Sequence, residues 1–393
     1  MLTKSNTGIF NDARQSSGAE ISHSRRVAVW SVELAKTLDT TTAEQNAMEL
    51  AALAHHLPPG CDPAMRNKFL LALGIDKGSI AATADQVHEI LRALHDQTVL
   101  NPGSTKLAAV IELANALDER LEWESLGTES DEPEPAVELA LERLQAVAAR
   151  EIEGAVHATP PLAPIAERGF SLLFRPGATV TDLEAMLAME PAVVTNIDTR
   201  ALENMGLQTA LRIVCAASIR SLFMDAALHR VWNHGLRVAQ LAEGLARLSG
   251  QADPAEAFVA GLLHDVGRLP MALLPIEFRR RFAHAHNKGC EPDLIERVFC
   301  ASTHAQAGAS VLRKWKLPEA VTRAVEHHHE PERGDARLAD LLCVADDPLG
   351  KHEDLPSVVR RRAALNRLKL HGETLAHIGT FDKSPLDTLK FAA

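Results

Sequence analysis

Seven side chains in the C-terminal half of the chain are of the types that bind divalent metals: His234, His264, Asp265, His304, His328, His329 and Asp346. Imidazole nitrogen and carboxylate oxygen suit iron, manganese or zinc, and a carboxylate such as Asp265 can bridge two ions. Two ions held this way lower the pKa of bound water and clamp a phosphate ester. Each residue taken singly also has a bland reading. His264-Asp265 could be an exposed dipeptide near a helix end. His234 and His304 could be satisfied core histidines, and His327-His328-His329 a solvated turn before Glu330 and Pro331. Their common placement favours metal. All seven fall at inward or end positions of successive apolar helices, where unpartnered ionisable groups are costly.

The helices that must position them are legible from capping signals and period. The stretch Asp253–Pro270 opens with an N-cap at Asp253, Pro254 at the first helical position and Glu256 at capping-box spacing. Phe258 to Leu263 is apolar on every side, the pattern of a buried helix. Gly267 is expected to supply a left-handed stop and Pro270 to bar continuation. Upstream, His234 shares a stripe with Val238, Leu241, Leu245 and Leu248; downstream, His304 shares one with Gly308, Val311 and Trp315. Asp346 ends the mostly apolar segment ARLADLLCVAD.

Composition sets the wider bounds. The chain has 393 residues, 46% apolar and 24% charged, enough for two globular domains. A formal net charge of -11 argues against general nucleic-acid binding, which carries a basic footprint. No apolar run reaches the roughly 18 residues of a membrane span, and the N-terminus lacks a signal-peptide core. Cys61, Cys215, Cys290, Cys300 and Cys343 are scattered without a CxxC pair, which points to a reducing cytoplasm and away from a cysteine-based zinc site.

The periodicity predicts an all-α protein. Residues 1–20 read as a flexible lead-in and 21–126 as a helical domain. Residues 127–158 read as an acidic linker, GTESDEPEP, with a connecting helix from about Ala136 to Ile152 and a proline-marked joint at Gly154–Pro164. Residues 159–372 form a second helical domain and 373–393 a loose tail. The basic helix near its end, with Arg360, Arg361, Arg362, Arg367 and Lys369, could meet a membrane surface or an acidic partner, but a solvated face closing the domain accounts for it better.

With these segments in place, the chain resembles a family. GLLHDVGRLP, HAQAGASVLRKWKLPEAV and the HHEP at His328–Pro331 look like the HDOD domain, a signalling-associated branch of the HD metal-dependent phosphohydrolase superfamily. The upstream PPLAPIAERGFSLLF and TDLEAMLAMEPAVV resemble that domain's N-terminal helices, so the likeness spans about Thr159 to Gly350. By position, the resemblance makes His234 the first metal ligand, His264 and Asp265 the HD pair and His304 the ligand of the following helix. His328 and His329 become the paired histidines and Asp346 the closing aspartate. Four departures matter. The segment after the family's "dP" motif is shortened to TNIDTRALENMG. Arg230 stands where HD-GYP phosphodiesterases carry a glutamate ligand, and the GYP sequence is absent. Arg268 replaces the lysine usual after HD-x-G, keeping a cation for phosphate.

Residues 20–126 echo the same plan. HSRRVAVWSVELAKTL mirrors NHGLRVAQLAEGLARL, and ELAALAHHLPPG mirrors FVAGLLHDVGRL, so His55-His56 falls where His264-Asp265 stands. His23 and His55 are 32 residues apart, His234 and His264 30. His56 replaces the bridging aspartate and Asn115 replaces Asp346, and no counterpart of the His304 helix follows. A dinuclear site is therefore not expected there. The copy reads as a degenerate HD-like domain with a structural, sensory or dimerising part, so a homodimer is among the expected arrangements; an unrelated helical bundle is the alternative.

Two functions follow. One is a cytoplasmic bacterial-type signal-transduction protein whose HDOD domain binds one or two divalent ions (Fe, Mn or Zn). It would act as a regulatory output module toward a protein partner or a nucleotide-type ligand. The alternative is an active metal-dependent phosphohydrolase or phosphodiesterase on a nucleotide or cyclic dinucleotide, with Asp265 and Arg268 catalytic.

Overall fold

Local signals place several helix starts. Thr41, Thr179 and Thr303 each close a capping box, and Asp62 and Asp253 cap helices that begin with proline. The structure, a computed structural model, describes residues 18–38, 40–58, 61–95, 102–125, 135–146, 148–189, 206–334, 337–347 and 355–370. Among the described residues the regular structure is helical, with no strand, as the periodicity predicts. Most of the lead-in, most of the acidic stretch at 127–135, the segment TNIDTRALENM and the tail lie outside the described residues.

The helices run, in chain order, α1 Gly18–Lys36, α2 Thr42–Leu53, α3 Pro63–Ala72, α4 Lys77–His95, α5 Pro102–Ser125, α6 Pro135–Gln145 and α7 Ile152–Ala158. They continue with α8 Pro164–Leu173, α9 Val180–Leu187, α10 Leu207–Ile219, α11 Ala226–Ser249, α12 Pro254–Leu263 and α13 Arg268–Leu273. The last are α14 Ile276–Asn287, α15 Pro292–Cys300, α16 His304–Lys314, α17 Glu319–Glu326, α18 Arg337–Asp346 and α19 Leu355–Arg367. The expected connecting helix is shorter than its pattern, and the expected joint at 154–164 is partly taken up by α7.

These helices divide into two compact units, one drawn from Met1–Arg150 with Pro275–Ala301, the other from Glu151–Leu274 with Ser302–Ala393. The first therefore contains α14 and α15, whereas the helical pattern predicts one continuous second domain over 159–372. The packing explains it. Phe299 of α15 meets Trp30 of α1 edge-on at 5.5 Å, both fully buried. Arg281 of α14 pairs with the buried Glu33 at 3.1 Å, and Gln145 donates to the Arg297 carbonyl at 2.9 Å. Deeper in this unit, Asp118 of α5 is almost fully buried. It accepts hydrogen bonds from Arg26 Nη2 at 2.8 Å and Trp30 Nε1 at 2.9 Å.

In the second unit, α12 is the central element and is buried from Ala257 to Leu263. Two glycines let α11 approach it: a Cβ on Gly235 would lie 2.7 Å from the Leu262 carbonyl oxygen, and one on Gly261 2.6 Å from Ala239 Cα. The basic helix α19 is docked onto this unit. Arg367 Nη2 reaches the buried Asp340 at 2.5 Å, and Arg361 donates to the Asp347 carbonyl at 2.8 Å, which accords with a helix that closes the domain.

Candidate metal centre

The close packing of α11 on α12 brings His234 and His264 together, with ring centroids 5.1 Å apart. His264 follows the last residue of α12, and the chain then turns through Asp265 to Gly267 before α13 begins. Gly267 is not left-handed: its φ is -63°, and Pro270 sits inside the first turn of α13, where its missing N–H is tolerated. The expected stop is thus a tight turn between two short helices. Glycine is needed for a different reason. A Cβ there would lie 1.8 Å from the His304 carbonyl oxygen and 2.6 Å from the Gly308 nitrogen. This contact seats the first turn of α16, opened by the Thr303 cap, directly against the His264-Asp265 turn.

The structure brings all seven predicted residues into one cluster. His234 Nε2 lies 2.7 Å from Asp346 Oδ1, and His264 Nε2 3.5 Å from the same oxygen. Asp265 lies between the two halves, its Oδ1 3.1 Å from His304 Nε2 and its Oδ2 3.9 Å from His264 Nε2. His329 Nε2 faces His304 Nε2 at 3.1 Å, and the His328 ring lies 5.2 Å from His264 and 5.4 Å from His304. Potential ligand atoms of His234, His264 and Asp346 lie within 4.8 Å of one another; the same holds for His264, Asp265 and His328, and for His304, His328 and His329.

Tautomers follow from the backbone. His264 Nδ1–H donates to the Gly261 carbonyl at 2.8 Å, and His328 Nδ1–H to the Val325 carbonyl at 2.7 Å. Each ring therefore turns its Nε2 into the cluster, the arrangement in which a ligating imidazole is oriented through its other nitrogen. His328 Nε2 is buried and has no hydrogen-bond partner. An orphaned acceptor of this kind is costly unless something electropositive fills the space. The donor set and this orphan fit a divalent metal. In the sequence, the helix-end position of each histidine is the only signal of these two carbonyl bonds.

Electrostatics prepare the same state. Burial opposes charge on Asp265, but Arg268, His264 and His304 outweigh it and hold its carboxyl well below the usual range. Asp346 is also held well below it, burial again being outweighed, here by hydrogen bonds from His234 and His264. Burial pushes His328 well below its ordinary value and His329 down to about 3, with neighbouring imidazoles adding to the effect. His264 moves the other way, raised by Asp265 and Asp346 against its burial. At neutral pH the cluster thus offers two carboxylates and at least two neutral imidazoles. Arg268 Nε lies 3.5 Å from Asp265 Oδ1, while Arg230 is exposed.

The HDOD domain family model matches residues 191–331. An uncharacterized protein of Treponema pallidum is 24% identical over 178 residues, 39% of this chain and 34% of its own length. Ribonuclease Y of Deinococcus radiodurans is 29% identical over 154 residues, 38% of this chain and 22% of its own length. The matched stretches thus span about a third and about a fifth of those relatives. A crystal structure of an HDOD domain protein with unknown function from Geobacter sulfurreducens superposes with a TM-score of 0.50 at 20% identity, covering 63% of this chain and 99% of that one. None of the described helices is long and apolar enough to cross a membrane. The stretch that the HDOD domain model matches, residues 191–331, holds six of the seven clustered side chains.

Proposed function

We propose that His234, His264, Asp265, His304, His328, His329 and Asp346 hold one or two divalent ions, iron, manganese or zinc. On this reading the domain acts as a regulatory output module of a cytoplasmic signalling protein, recognising a protein partner or a nucleotide-type ligand. The observation that carries the metal is the buried, partnerless Nε2 of His328 beside ionised Asp265 and Asp346. Arg268 supports the modular role: its guanidinium is engaged with Asp265, which reduces what it can offer a substrate phosphate.

The completeness of the donor set favours a second reading, a metal-dependent phosphohydrolase or phosphodiesterase. Bound ions would supply an activated water and a clamp on the phosphoryl group. Asp265, between the two ligand groups, would hold their spacing, and Arg268 would neutralise a phosphate oxygen.

Elemental analysis and thermal unfolding before and after chelation test the shared premise. An ion present at 100 times its Kd stabilises the native state by about 2.7 kcal/mol, roughly 5–10 °C in Tm for a unit of this size. Asp265→Ala should remove both the metal and the shift. Metal-free protein whose melting ignores added ions would refute both readings. A panel of phosphomonoesters, nucleotides and cyclic dinucleotides then separates them: binding without turnover supports the module, turnover lost in Asp265→Ala the enzyme.

A further inference from the structure

The first unit carries its own histidine cluster, at the positions where the sequence echo had lost both aspartates. His23 of α1 and His55-His56, just past the end of α2, lie together. The His23 ring centroid is 5.5 Å from His55 and 5.1 Å from His56, and the latter two are 3.9 Å apart. One nitrogen from each lies within 4.8 Å of the others. Nitrogens on one tetrahedral zinc are about 3.3 Å apart, so a small closing movement, available to the exposed His56, completes the set.

One ring is already oriented as a ligand, and a second is held in place by a carboxylate. His55 Nδ1–H donates to the carbonyl of Ala52, three residues back, the relation seen for His264 with Gly261 and His328 with Val325. Its Nε2 is buried with no hydrogen-bond partner, like that of His328. His23 Nδ1–H donates to Asp118 Oδ2 at 2.8 Å, and Asp118 is itself locked by Arg26 and Trp30. A carboxylate behind an imidazole is the usual outer partner of a metal-binding histidine. Asn115 donates through Nδ2 to Glu119 at 2.7 Å and accepts at Oδ1 from His23 Nε2–H at 3.0 Å, a proton that a bound ion would displace. An amide oxygen thus sits on the ligand side of the ring, where Asp346 Oδ1 stands beside His234.

We infer that His23, His55 and His56 form a second, mononuclear site for one zinc-class divalent ion, with Asn115 Oδ1 facing its fourth position. Three imidazoles and a neutral oxygen select such an ion over magnesium or calcium, which require carboxylate-rich oxygen sites. The loss of both aspartates then marks a change from a dinuclear to a mononuclear plan. The site shares no residue with the HDOD cluster and does not rest on it.

The test uses the full-length chain, stripped by chelation and dialysed against Zn²⁺, with bound metal counted by mass spectrometry. The double variant His55→Ala, His56→Ala should bind one ion fewer than wild type. Asp265→Ala should retain an ion that the triple variant loses. In Co²⁺-loaded protein the tetrahedral visible absorption should persist in Asp265→Ala and disappear in the triple variant. His56→Ala alone, at an exposed position that leaves the fold intact, should weaken this ion's affinity at least tenfold. Equal metal content in wild type and the double variant, or an Asp265→Ala protein that binds no ion, would overturn the inference. An Asp265→Ala protein with undiminished metal would instead sink the HDOD reading and leave this one standing.

Discussion

Gly267→Ala is the sharpest test of how the HDOD cluster is built. The added Cβ would meet the His304 carbonyl oxygen at 1.8 Å and the Gly308 nitrogen at 2.6 Å, both backbone atoms that no rotamer change can move. Relieving a contact of 1.8 Å to about 3.3 Å requires the first turn of α16 to retreat by about 1.5 Å. Metal-ligand distances tolerate only about 0.2 Å, so His304 would leave its place beside Asp265. Overpacking of this kind costs about 3 kcal/mol, which corresponds to roughly 6–12 °C in the Tm of this unit. Gly308→Ala is the control. Its Cβ would meet Gly267 N at 3.2 Å, Val325 Cγ1 at 3.3 Å and Val266 Cγ1 at 3.4 Å. That mild crowding is offset by a gain in helix propensity of about 1 kcal/mol, so the variant should melt close to wild type. Circular-dichroism melts and elemental analysis of both variants provide the readout. Equal melting temperatures for the two, or full metal content in Gly267→Ala, would refute the packing argument.

Other perturbations have equally direct outcomes. Asp118→Ala leaves Arg26 and the Trp30 N–H without their buried acceptor; denaturant unfolding should show a loss of about 3–5 kcal/mol. A loss below about 1 kcal/mol would mean that Asp118 is not a keystone of the first unit. His55 is held neutral by burial, its pKa lowered to about 4 from an unfolded value of 6.5. The unfolded chain binds the extra proton first, so this stability is intact above pH 6.5 and is lost as pH falls toward 4, by about 3 kcal/mol. Urea midpoints of metal-free protein across that range should fall, and less so in His55→Gln; parallel pH profiles would contradict the assignment. Asp340→Ala frees Arg367 and should loosen α19 by about 1–3 kcal/mol, read as faster limited proteolysis around residues 355–370. Unchanged cleavage would show that the helix is held by other contacts.

Part of this architecture was open to local reading. Asp253 and Pro254 start α12 through a hydrogen bond and a ring constraint that involve only their neighbours. The stripes of α11 and α16 carry His234 and His304 inward because helical period decides which side chains share a face. Gly267 shows the limit of that approach. Locally it signals a left-handed turn, yet its φ is ordinary and its need arises from His304, 37 positions later. The assignment of α14 and α15 is similar: their apolar faces require cover, but nothing in their composition names Trp30 or Glu33 as the partners.

The sequence by itself determined the helices, the residue types able to hold metal and the repeated order in which they occur. These depend on periods, caps and chemistry within a few residues of one another. Tertiary structure alone decided that seven distant side chains converge and that His328 Nε2 is left without a partner. It also decided that the first unit gathers His23, His55 and His56 around an orphaned nitrogen. Convergence and burial depend on how closely helix backbones approach, set here by Gly235, Gly261 and Gly267 at contacts no local pattern encodes.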